Sequence, residues 1–187
     1  GSGKTTTFRM LLGLMQPTAG KVLWNGEKIG EKQKDLIGYL PEERGLYPKE
    51  TIEQQVMYFG KLRGKAPREI KEKLDYWMDH LQVKGKKNDK IKSLSKGNQQ
   101  KVQLITTLIH EPKLVILDEP FSGLDPVNAQ IMQDAIIALR KQGSCVIFSS
   151  HNMANLEQIC DRLVMIKDGR QVLACKVQDI KDSFGKI

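Results

Sequence analysis

The chain has 187 residues, of which 40% are hydrophobic and 28% charged, and its formal net charge is +8. This composition is typical of one globular domain with a proper core, and no apolar run reaches the roughly 18 residues that a transmembrane helix needs. The positive charge favours anionic partners (a nucleotide, acidic lipid headgroups or nucleic acid) without choosing among them. Cys145, Cys160 and Cys175 are predicted to be buried thiols of a cytosolic protein, with no disulfide or metal role.

The first residues form the second half of a phosphate-binding loop. Gly3, Lys4 and Thr5 match the end of the pattern G-x-x-x-x-G-K-[ST], whose first glycine would lie upstream of Gly1. In this pattern backbone N–H groups surround the phosphates, the lysine reaches the β and γ oxygens, and the threonine hydroxyl binds Mg²⁺. The residues predicted to contact the nucleotide here are Gly1, Ser2, Gly3, Lys4, Thr5 and Thr6.

Such a loop needs a strand in front of it and a helix behind it. The helix is predicted by the apolar pattern from Phe8 to Met15, which Pro17 and Gly20 close. The strand is not in the sequence, so we expect the chain to be a fragment that has lost one or more N-terminal strands. An aromatic residue that stacks on the nucleotide base is expected to have been lost with them.

From residue 22 to residue 110 the pattern changes from strands to helices. Residues 22–29 predict a hairpin with a type I′ turn at Asn25-Gly26, and residues 36–40 predict a further strand. Thr51 and Gln54 form a capping box at the start of one helix, and Pro67 opens another. Since residues 51–110 carry no strand pattern, they are predicted to form a helical subdomain inserted into an α/β domain.

A polar stretch within this region, residues 94–101, leads into an apolar helix. Ser95, with Gly97 two residues later, stands where the helix begins. The free N–H groups of a helix start can bind an anion, so this stretch is a candidate anion site. Taken alone, it would be better explained as a simple helix cap.

The next strand is predicted by the buried run Leu114–Leu117, which is typical of a parallel sheet. It ends at Asp118 and Glu119, and Pro120 stops the ladder. Ligands of open parallel sheets bind outside the carboxyl ends of the strands. Asp118 is therefore predicted to hold Mg²⁺, and Glu119 to orient or deprotonate an attacking water. Solvated acids would be the better explanation of an isolated pair, but the phosphate loop in the same chain favours the functional one.

The rest of the chain continues the alternation of helix and strand. Asp125-Pro126 predicts the start of a helix that runs to Gly143, and residues 145–148 predict a second buried strand. His151 follows that strand, on the sheet edge where the acids are expected. A second hairpin is predicted over residues 163–174 and a short helix over residues 177–187.

These motifs resemble, in identity and in order, those of the ATP-binding-cassette (ABC) family over nearly the whole chain. Residues 3–5 are similar to the family's phosphate loop, and residues 94–98 to its signature Leu-Ser-Gly-Gly-Gln, with Lys96 replacing the first glycine. Residues 114–119 resemble the strand that carries the Mg²⁺ aspartate and the catalytic glutamate. Residues 122–125 resemble the dimer-contact loop, and His151 the switch histidine.

One further position departs from the family pattern. Glu42 stands where the family usually has a glutamine that contacts Mg²⁺ and the attacking water. A glutamate can still bind the metal, although it adds negative charge beside Glu119. The surrounding residues 41–47 resemble single-cassette bacterial subunits of sodium and drug exporters, in which this departure is normal.

The resemblance implies an α/β fold of the P-loop NTPase (RecA-like) type, with a parallel sheet core, a small antiparallel β region and an inserted helical subdomain. Residues 1–187 would form a single ABC ATPase domain that lacks its N-terminal strands. The cofactors would be ATP and Mg²⁺, with Thr5, Glu42 and Asp118 as metal ligands and Glu119 and His151 as catalytic residues.

The resemblance also implies partners and a location. Two cassettes, identical or different, would close head to tail, so that Ser95, Gly97 and Asn98 of one contact the nucleotide held by the other. Transmembrane permease subunits would bind near residues 42–47, and the protein would lie peripherally on the inner face of the cell membrane. No nucleic-acid partner is expected. The implied function is an ATPase that energises an exporter. The alternative is a soluble ABC-type ATPase acting on nucleic acid or ribosomes.

Overall fold

The structure is a computed structural model that describes residues 2–43, 45–152, 156 and 158–184. The chain divides into two compact units: residues 1–34 with 149–187, and residues 35–148. Among the described residues, none of the helices is both long enough and apolar enough to cross a membrane.

In the described part of the chain the helices are α1 (Lys4–Leu11), α2 (Glu31–Lys34), α3 (Ile52–Leu62), α4 (Pro67–His80), α5 (Lys96–Leu108), α6 (Pro126–Lys141) and α7 (Val177–Phe184). The strands are β1 (Leu23–Trp24), β2 (Glu27–Lys28), β3 (Ile37–Leu40), β4 (Leu114–Leu117), β5 (Cys145–Phe148), β6 (Arg162–Lys167) and β7 (Arg170–Lys176). The short helix α2 and a 3₁₀ turn at Ile91–Ser93 are additions that the sequence pattern did not predict.

The first unit contains two antiparallel hairpins, β1–β2 and β6–β7. Their turns have positive φ at both central residues: 52° and 85° at Asn25 and Gly26, and 50° and 72° at Asp168 and Gly169. This is the geometry of a type I′ turn, whose backbone twist matches that of the strands it connects. Both predicted hairpins, and the turn type predicted for the first, are confirmed.

The second unit is built on a parallel sheet in the order β3-β4-β5. The central strand, β4, has all four of its residues buried, as its unbroken apolar run predicted. Leu117 pairs with Leu40 on one side and with Phe148 on the other. The carboxyl ends of β3 and β4 therefore lie side by side, and the predicted parallel core with a smaller antiparallel region is confirmed.

Helices α3, α4 and α5 follow β3 in the second unit. The capping box at α3 is present, since the Thr51 hydroxyl accepts from the Gln54 N–H at 3.2 Å and the Gln54 side chain accepts from the Thr51 N–H at 2.9 Å. Pro67 occupies the first turn of α4, as predicted. The two helices approach closely at Gly60, where an added Cβ would lie 2.6 Å from Cδ1 of Ile70.

Polar side chains on and after α5 cover the outer edge of β3. His110, Thr107 and Gln103 lie 3.2, 3.4 and 3.4 Å from the carbonyl oxygens of Ile37, Tyr39 and Pro41. The contacts run in opposite directions along the two elements, so α5 is antiparallel to β3. Alternate residues of an edge strand point their carbonyls away from the sheet, and these side chains give them partners.

The exposure of the cysteines differs from the prediction. All three cysteines are free thiols, but Cys145 is exposed and Cys160 and Cys175 are partly exposed, so the expected burial is wrong. Cys145 begins β5, whose four residues alternate between exposed and partly exposed. An apolar run alone does not reveal whether a strand lies in the middle of a sheet or at one side of it.

The buried imidazole of His110 should make stability depend on pH. Burial lowers its pKa from 6.5 to about 4, an effect that nearby Arg63 and Lys65 increase and that the Ile37 carbonyl and Asp35 oppose. Between pH 6.5 and pH 4 the unfolded chain binds a proton that the folded chain rejects, so stability falls as the pH falls. Each tenfold difference in proton affinity is worth about 1.4 kcal/mol, which gives a loss on the order of 3 kcal/mol near pH 4.

This loss can be measured by urea unfolding between pH 4 and pH 7.5. The His110→Gln variant should show a flatter stability profile than the wild type over that range, whereas His80→Gln, at an exposed position, should keep the wild-type slope. Parallel profiles for the wild type and His110→Gln would show that His110 is not the group responsible.

Candidate nucleotide-binding site

The first unit presents a loop that enters a helix at a glycine. Gly3 precedes α1 with φ 100°, a left-handed conformation that other residues rarely adopt. Its carbonyl accepts from both the N–H and the hydroxyl of Thr7, each at 2.9 Å. The Ser2 carbonyl accepts from the Gly169 N–H at 3.1 Å, which fixes the loop to the β6–β7 turn. These hydrogen bonds give the loop a defined conformation.

Lys4, the first residue of α1, directs its ammonium group toward two polar side chains. Nζ donates to the Ser2 hydroxyl at 3.4 Å and to Nε2 of His151 at 3.4 Å. The first N–H groups of any helix lack intrahelical acceptors and carry partial positive charge. An ammonium, a hydroxyl and an imidazole beside such a terminus form a set of groups suited to phosphate oxygens.

The remaining predicted loop residues lie at the same place. Thr5 and Thr6 belong to the first turn of α1, where Thr5 is partly exposed and Thr6 exposed. Gly1 lies outside the described residues. The structure thus brings His151 beside Lys4, although the two are 147 positions apart in the chain. Nucleotide binding by these residues stays a prediction.

The second unit places acidic residues at the carboxyl ends of two adjacent strands. Asp118 follows β4 directly, is 1% exposed, and donates its N–H to the Leu40 carbonyl at 2.8 Å. Glu42 is exposed and follows β3 by two residues. Glu119 comes directly after Asp118. The sheet thus gathers three carboxylates of this unit at one edge, as the sequence predicted for Asp118 and Glu119.

The backbone of Glu119 adopts an unusual conformation. Its φ is 49°, and its carbonyl accepts from the Ser122 N–H at 3.0 Å, which closes a tight turn. One carboxylate oxygen, Oε1, is buried. A non-glycine residue in the left-handed region costs roughly 1–3 kcal/mol, and such strain is concentrated at functional sites. The turn fixes the position of the backbone from which the Glu119 side chain extends.

The chemistry of the acids in the second unit fits a magnesium ion bound together with phosphates. Mg²⁺ takes oxygen ligands, and in nucleotide sites it uses one or two carboxylates plus substrate phosphates and water. No group of three His, Cys, Asp or Glu residues suited to a metal occurs in the described part of the chain. Asp118 and Glu42 of this unit and Thr5 of the first unit remain predicted ligands.

The signature stretch, residues 94–98, begins α5. Ser95 is the N-cap, and its hydroxyl accepts from the Asn98 N–H at 3.3 Å and from Nδ2 of Asn98 at 3.0 Å. The Asn98 side chain is 9% exposed and also accepts from the Lys84 N–H at 3.0 Å. Ser95 is exposed, whereas both ends of the Asn98 amide are used within the chain. A direct contact between Asn98 and a nucleotide stays a prediction.

Asn128 joins the signature stretch to the loop of residues 122–125. A Cβ at Gly97 would lie 2.9 Å from Nδ2 of Asn128. The Asp125 carboxylate accepts from the N–H groups of Val127 and Asn128 at 3.1 and 3.0 Å, and from the Asn128 amide. These hydrogen bonds, above all the one from the Asn128 N–H, hold the pKa of Asp125 below its usual value. Sequence reasoning did not identify Asn128.

Two glutamines of α5 were also missed. Nε2 of Gln100 donates to the Pro120 carbonyl at 3.3 Å, and Nε2 of Gln103 lies 3.4 Å from the carbonyls of both Pro41 and Glu43. Each glutamine is 4% exposed. Their signal in the sequence is the three-residue spacing of two amides on a helix that also carries many inward apolar positions. Such amides are buried only where they have partners.

Lys101, the next residue along α5, is an ammonium buried under the signature stretch. It is 2% exposed, and Nζ donates to the Gln82 carbonyl at 3.3 Å, just past the end of α4. Burial lowers its pKa, and the nearby Asp125 carboxylate partly opposes this effect. A buried cation with a backbone acceptor connects the start of α5 to the end of α4.

Two features are typical of nucleotide-binding proteins of the P-loop class. One is the helix that begins after a glycine and carries a lysine in its first turn, and the other is the pair of acids at the end of a strand. Comparison with known proteins agrees. The ABC transporter family profile matches residues 1–122. The chain therefore belongs to the ABC transporter family, whose ATP-binding proteins are ATPases.

Individual relatives support this assignment. An ABC transporter ATP-binding protein of Alkalihalophilus pseudofirmus is 48% identical over 98% of the chain, and YhaQ of Bacillus subtilis is 46% identical over 100% of it. The Nod factor export ATP-binding protein I of a Rhizobium species is 32% identical over 92% of the chain. A solved structure of an ATP-binding subunit of an ABC transporter superposes with a TM-score of 0.86 at 28% identity, over 98% of this chain and 78% of that one. The chain spans 69%, 62% and 58% of the lengths of the three relatives, in that order.

Replacing Lys4 by alanine should abolish nucleotide binding by the full-length protein. The substitution removes the cation that lies beside the first turn of α1, and bulk water does not replace a positioned ammonium. Titration with a fluorescent ATP analogue measures the change in Kd. Lys28→Ala, an exposed lysine of β2 in the same unit, is the matched control and should bind as the wild type does. Wild-type affinity in Lys4→Ala would refute the site.

Proposed function

We propose that the protein hydrolyses ATP in a head-to-tail dimer and thereby energises a membrane exporter. The observation that carries the proposal is the cluster of Lys4, Ser2 and His151 at the start of α1, together with strand-end acids in the same chain. One cluster is suited to phosphate and the other to a metal and a water molecule. ATP with Mg²⁺ is the ligand that needs both.

The residues would divide the work as follows. Lys4 and the first N–H groups of α1 would hold the β- and γ-phosphates, and Asp118, with Thr5 and Glu42, would hold Mg²⁺. When bound, Mg²⁺ would neutralise charge that develops on the phosphate oxygens. Glu119 would orient the attacking water and accept its proton, while the bond from the γ-phosphorus to the bridging oxygen breaks and ADP and phosphate are formed. His151 would stabilise the γ-phosphate.

A second copy or a related cassette would complete the site. Ser95 is exposed at the start of its own helix, in a different compact unit from the phosphate loop. A hydroxyl, the N–H of Gly97 and the helix terminus form a half-site for an anion, and the γ-phosphate held by another subunit is the anion that would fit. The partner would be either a second copy of this chain or a different ABC subunit.

The chain is also proposed to be part of one larger ATPase domain, with residues 51–110 as its helical subdomain. Additional N-terminal strands would complete the sheet on the side of β5. The support lies in β5 itself, where Cys145 is exposed and Ile147 is 36% exposed, whereas every residue of β4 is buried. Strands of parallel sheets are normally covered on both faces.

Export and membrane partners rest on the relatives and on one surface. A relative at 32% identity is named for Nod factor export. On this chain, Tyr47 packs against Tyr58 and Phe59 with ring centroids 6.3 and 6.2 Å apart, and the two tyrosines are half exposed. Exposed aromatic clusters are typical of protein interfaces. We place the permease subunits here, and the protein on the cytoplasmic face of the membrane.

Replacing Glu119 by glutamine should trap an ATP-bound dimer. The amide cannot accept the proton of the attacking water, so hydrolysis slows while nucleotide binding persists. Size-exclusion chromatography with light scattering should show a stable dimer with ATP and a monomer without it. Glu50→Gln, at an exposed position, should hydrolyse ATP normally and form no stable dimer. A Glu119→Gln variant that hydrolyses ATP at the wild-type rate would contradict the assigned role.

ATP hydrolysis should be stimulated by the transmembrane subunits with which we propose that this protein assembles. Coupling through the aromatic surface predicts that Tyr47→Ala together with Tyr58→Ala keeps basal hydrolysis and loses the stimulation. The measurement is the release of phosphate in proteoliposomes with and without the permease. Stimulation by RNA or DNA, with none by any membrane subunit, would contradict the proposed transport function.

A further inference from the structure

Gln103 holds the backbone on both sides of Glu42. It lies on α5 about two turns after Ser95 and is 4% exposed. Its Nε2 is 3.4 Å from the Pro41 carbonyl and 3.4 Å from the Glu43 carbonyl. Each contact is long, but the two acceptors are the carbonyls of the residues before and after Glu42. One amide thus spans the short segment that carries this carboxylate.

Gln103 is not explained by core packing. The neighbouring positions Leu104, Ile105 and Leu108 are at most 1% exposed and are apolar. The second polar atom of the amide, Oε1, is buried without a hydrogen-bond partner among the described residues. A buried, unsatisfied acceptor destabilises a fold, so an apolar side chain of similar size would suit the core better. A residue that breaks a local rule in this way points to a function.

The position of Gln103 along α5 indicates what that function is. It is the last of three side chains that follow the outer edge of β3, after His110 and Thr107. The other two contact carbonyls of the strand, which the sheet already holds in place. Gln103 alone of these three reaches past the strand end, where no ladder fixes the backbone.

We propose that Gln103 is a positioning residue that sets the direction in which the Glu42 side chain extends from its loop. This inference rests on the proposed ATPase function. A carboxylate at position 42 adds negative charge to the edge that carries Asp118 and Glu119, and like charges repel unless a cation lies between them. A fixed loop would direct the Glu42 carboxylate toward Mg²⁺ and away from Glu119, which would orient the water.

A double-mutant cycle in the full-length protein tests this proposal. Gln103→Met keeps the side-chain volume and removes the hydrogen bonds. It should raise the Mg²⁺ concentration that gives half-maximal ATP hydrolysis by about 3- to 10-fold, the effect expected for the loss of one hydrogen bond. In a Glu42→Ala background the same substitution should change this value less than about twofold. Equal effects in both backgrounds would overturn the proposal, because Gln103 would then act without Glu42.

A matched control comes from the same helix. Thr107→Val removes the contact with the Tyr39 carbonyl, which lies within β3, and should leave the Mg²⁺ dependence unchanged. If Thr107→Val shifts that dependence as much as Gln103→Met does, the effect is general loosening of α5 and the proposal fails. Gln103→Asn retains the amide but withdraws it by one methylene. It should shift the dependence in the same direction, and it replaces the methionine variant if that variant does not fold.

Amide hydrogen exchange separates this inference from the proposed function. Gln103→Met should speed exchange in the peptide covering residues 42–47 by about 3-fold or more, and Thr107→Val should not. Unchanged exchange in that peptide would overturn the positioning role even in an active enzyme. A wild-type protein that hydrolyses no ATP would instead refute the proposed function, while the exchange result would still decide whether Gln103 holds the loop.

Discussion

The parallel pairing of β3 with β4 is the constraint on which the acidic edge depends. Its register sets Leu40 beside Leu117, and the hydrogen bond of 2.8 Å from the Asp118 N–H to the Leu40 carbonyl continues the ladder by one residue. The loop that carries Glu42 and the pair Asp118-Glu119 must therefore leave the sheet at the same edge. This is the edge of an open parallel sheet at which ligands normally bind.

Side-chain amides of helix α5 hold the loops that leave this edge of the sheet. Backbone groups that leave a sheet ladder must find new partners, and the loops after β3 and β4 both find them on this helix. Gln103 reaches the Pro41 carbonyl and Gln100 the Pro120 carbonyl, so one rigid element holds both loops. The same helix begins at Ser95. A displacement of the signature stretch would therefore move the loops that carry the acids, and this gives a physical route between Ser95 and the acidic edge.

Local signals in the sequence were sufficient to predict much of the fold. They failed where burial or hydrogen bonding depends on residues that are distant in the chain. The Asn25-Gly26 turn and the Thr51 capping box were predictable because their chemistry lies within four residues. The burial of β4 was predictable from its unbroken apolar run. The exposure of Cys145 was not, since it depends on which strands flank β5. The roles of Gln100 and Gln103 were equally hidden, because their partners are carbonyls of loops about 20 and 60 positions away.

The two glycine positions of the signature motif are not equivalent in this chain, and the structure explains why only one of them is retained. Position 96 is the first residue of α5 and is exposed, so a lysine is accommodated there at the surface. Position 97 faces Asn128, and a Cβ would come within 2.9 Å of its amide nitrogen. That amide cannot easily move, because the Asp125 carboxylate holds it. Packing against the start of α6 therefore favours glycine at 97, independently of any contact with a nucleotide.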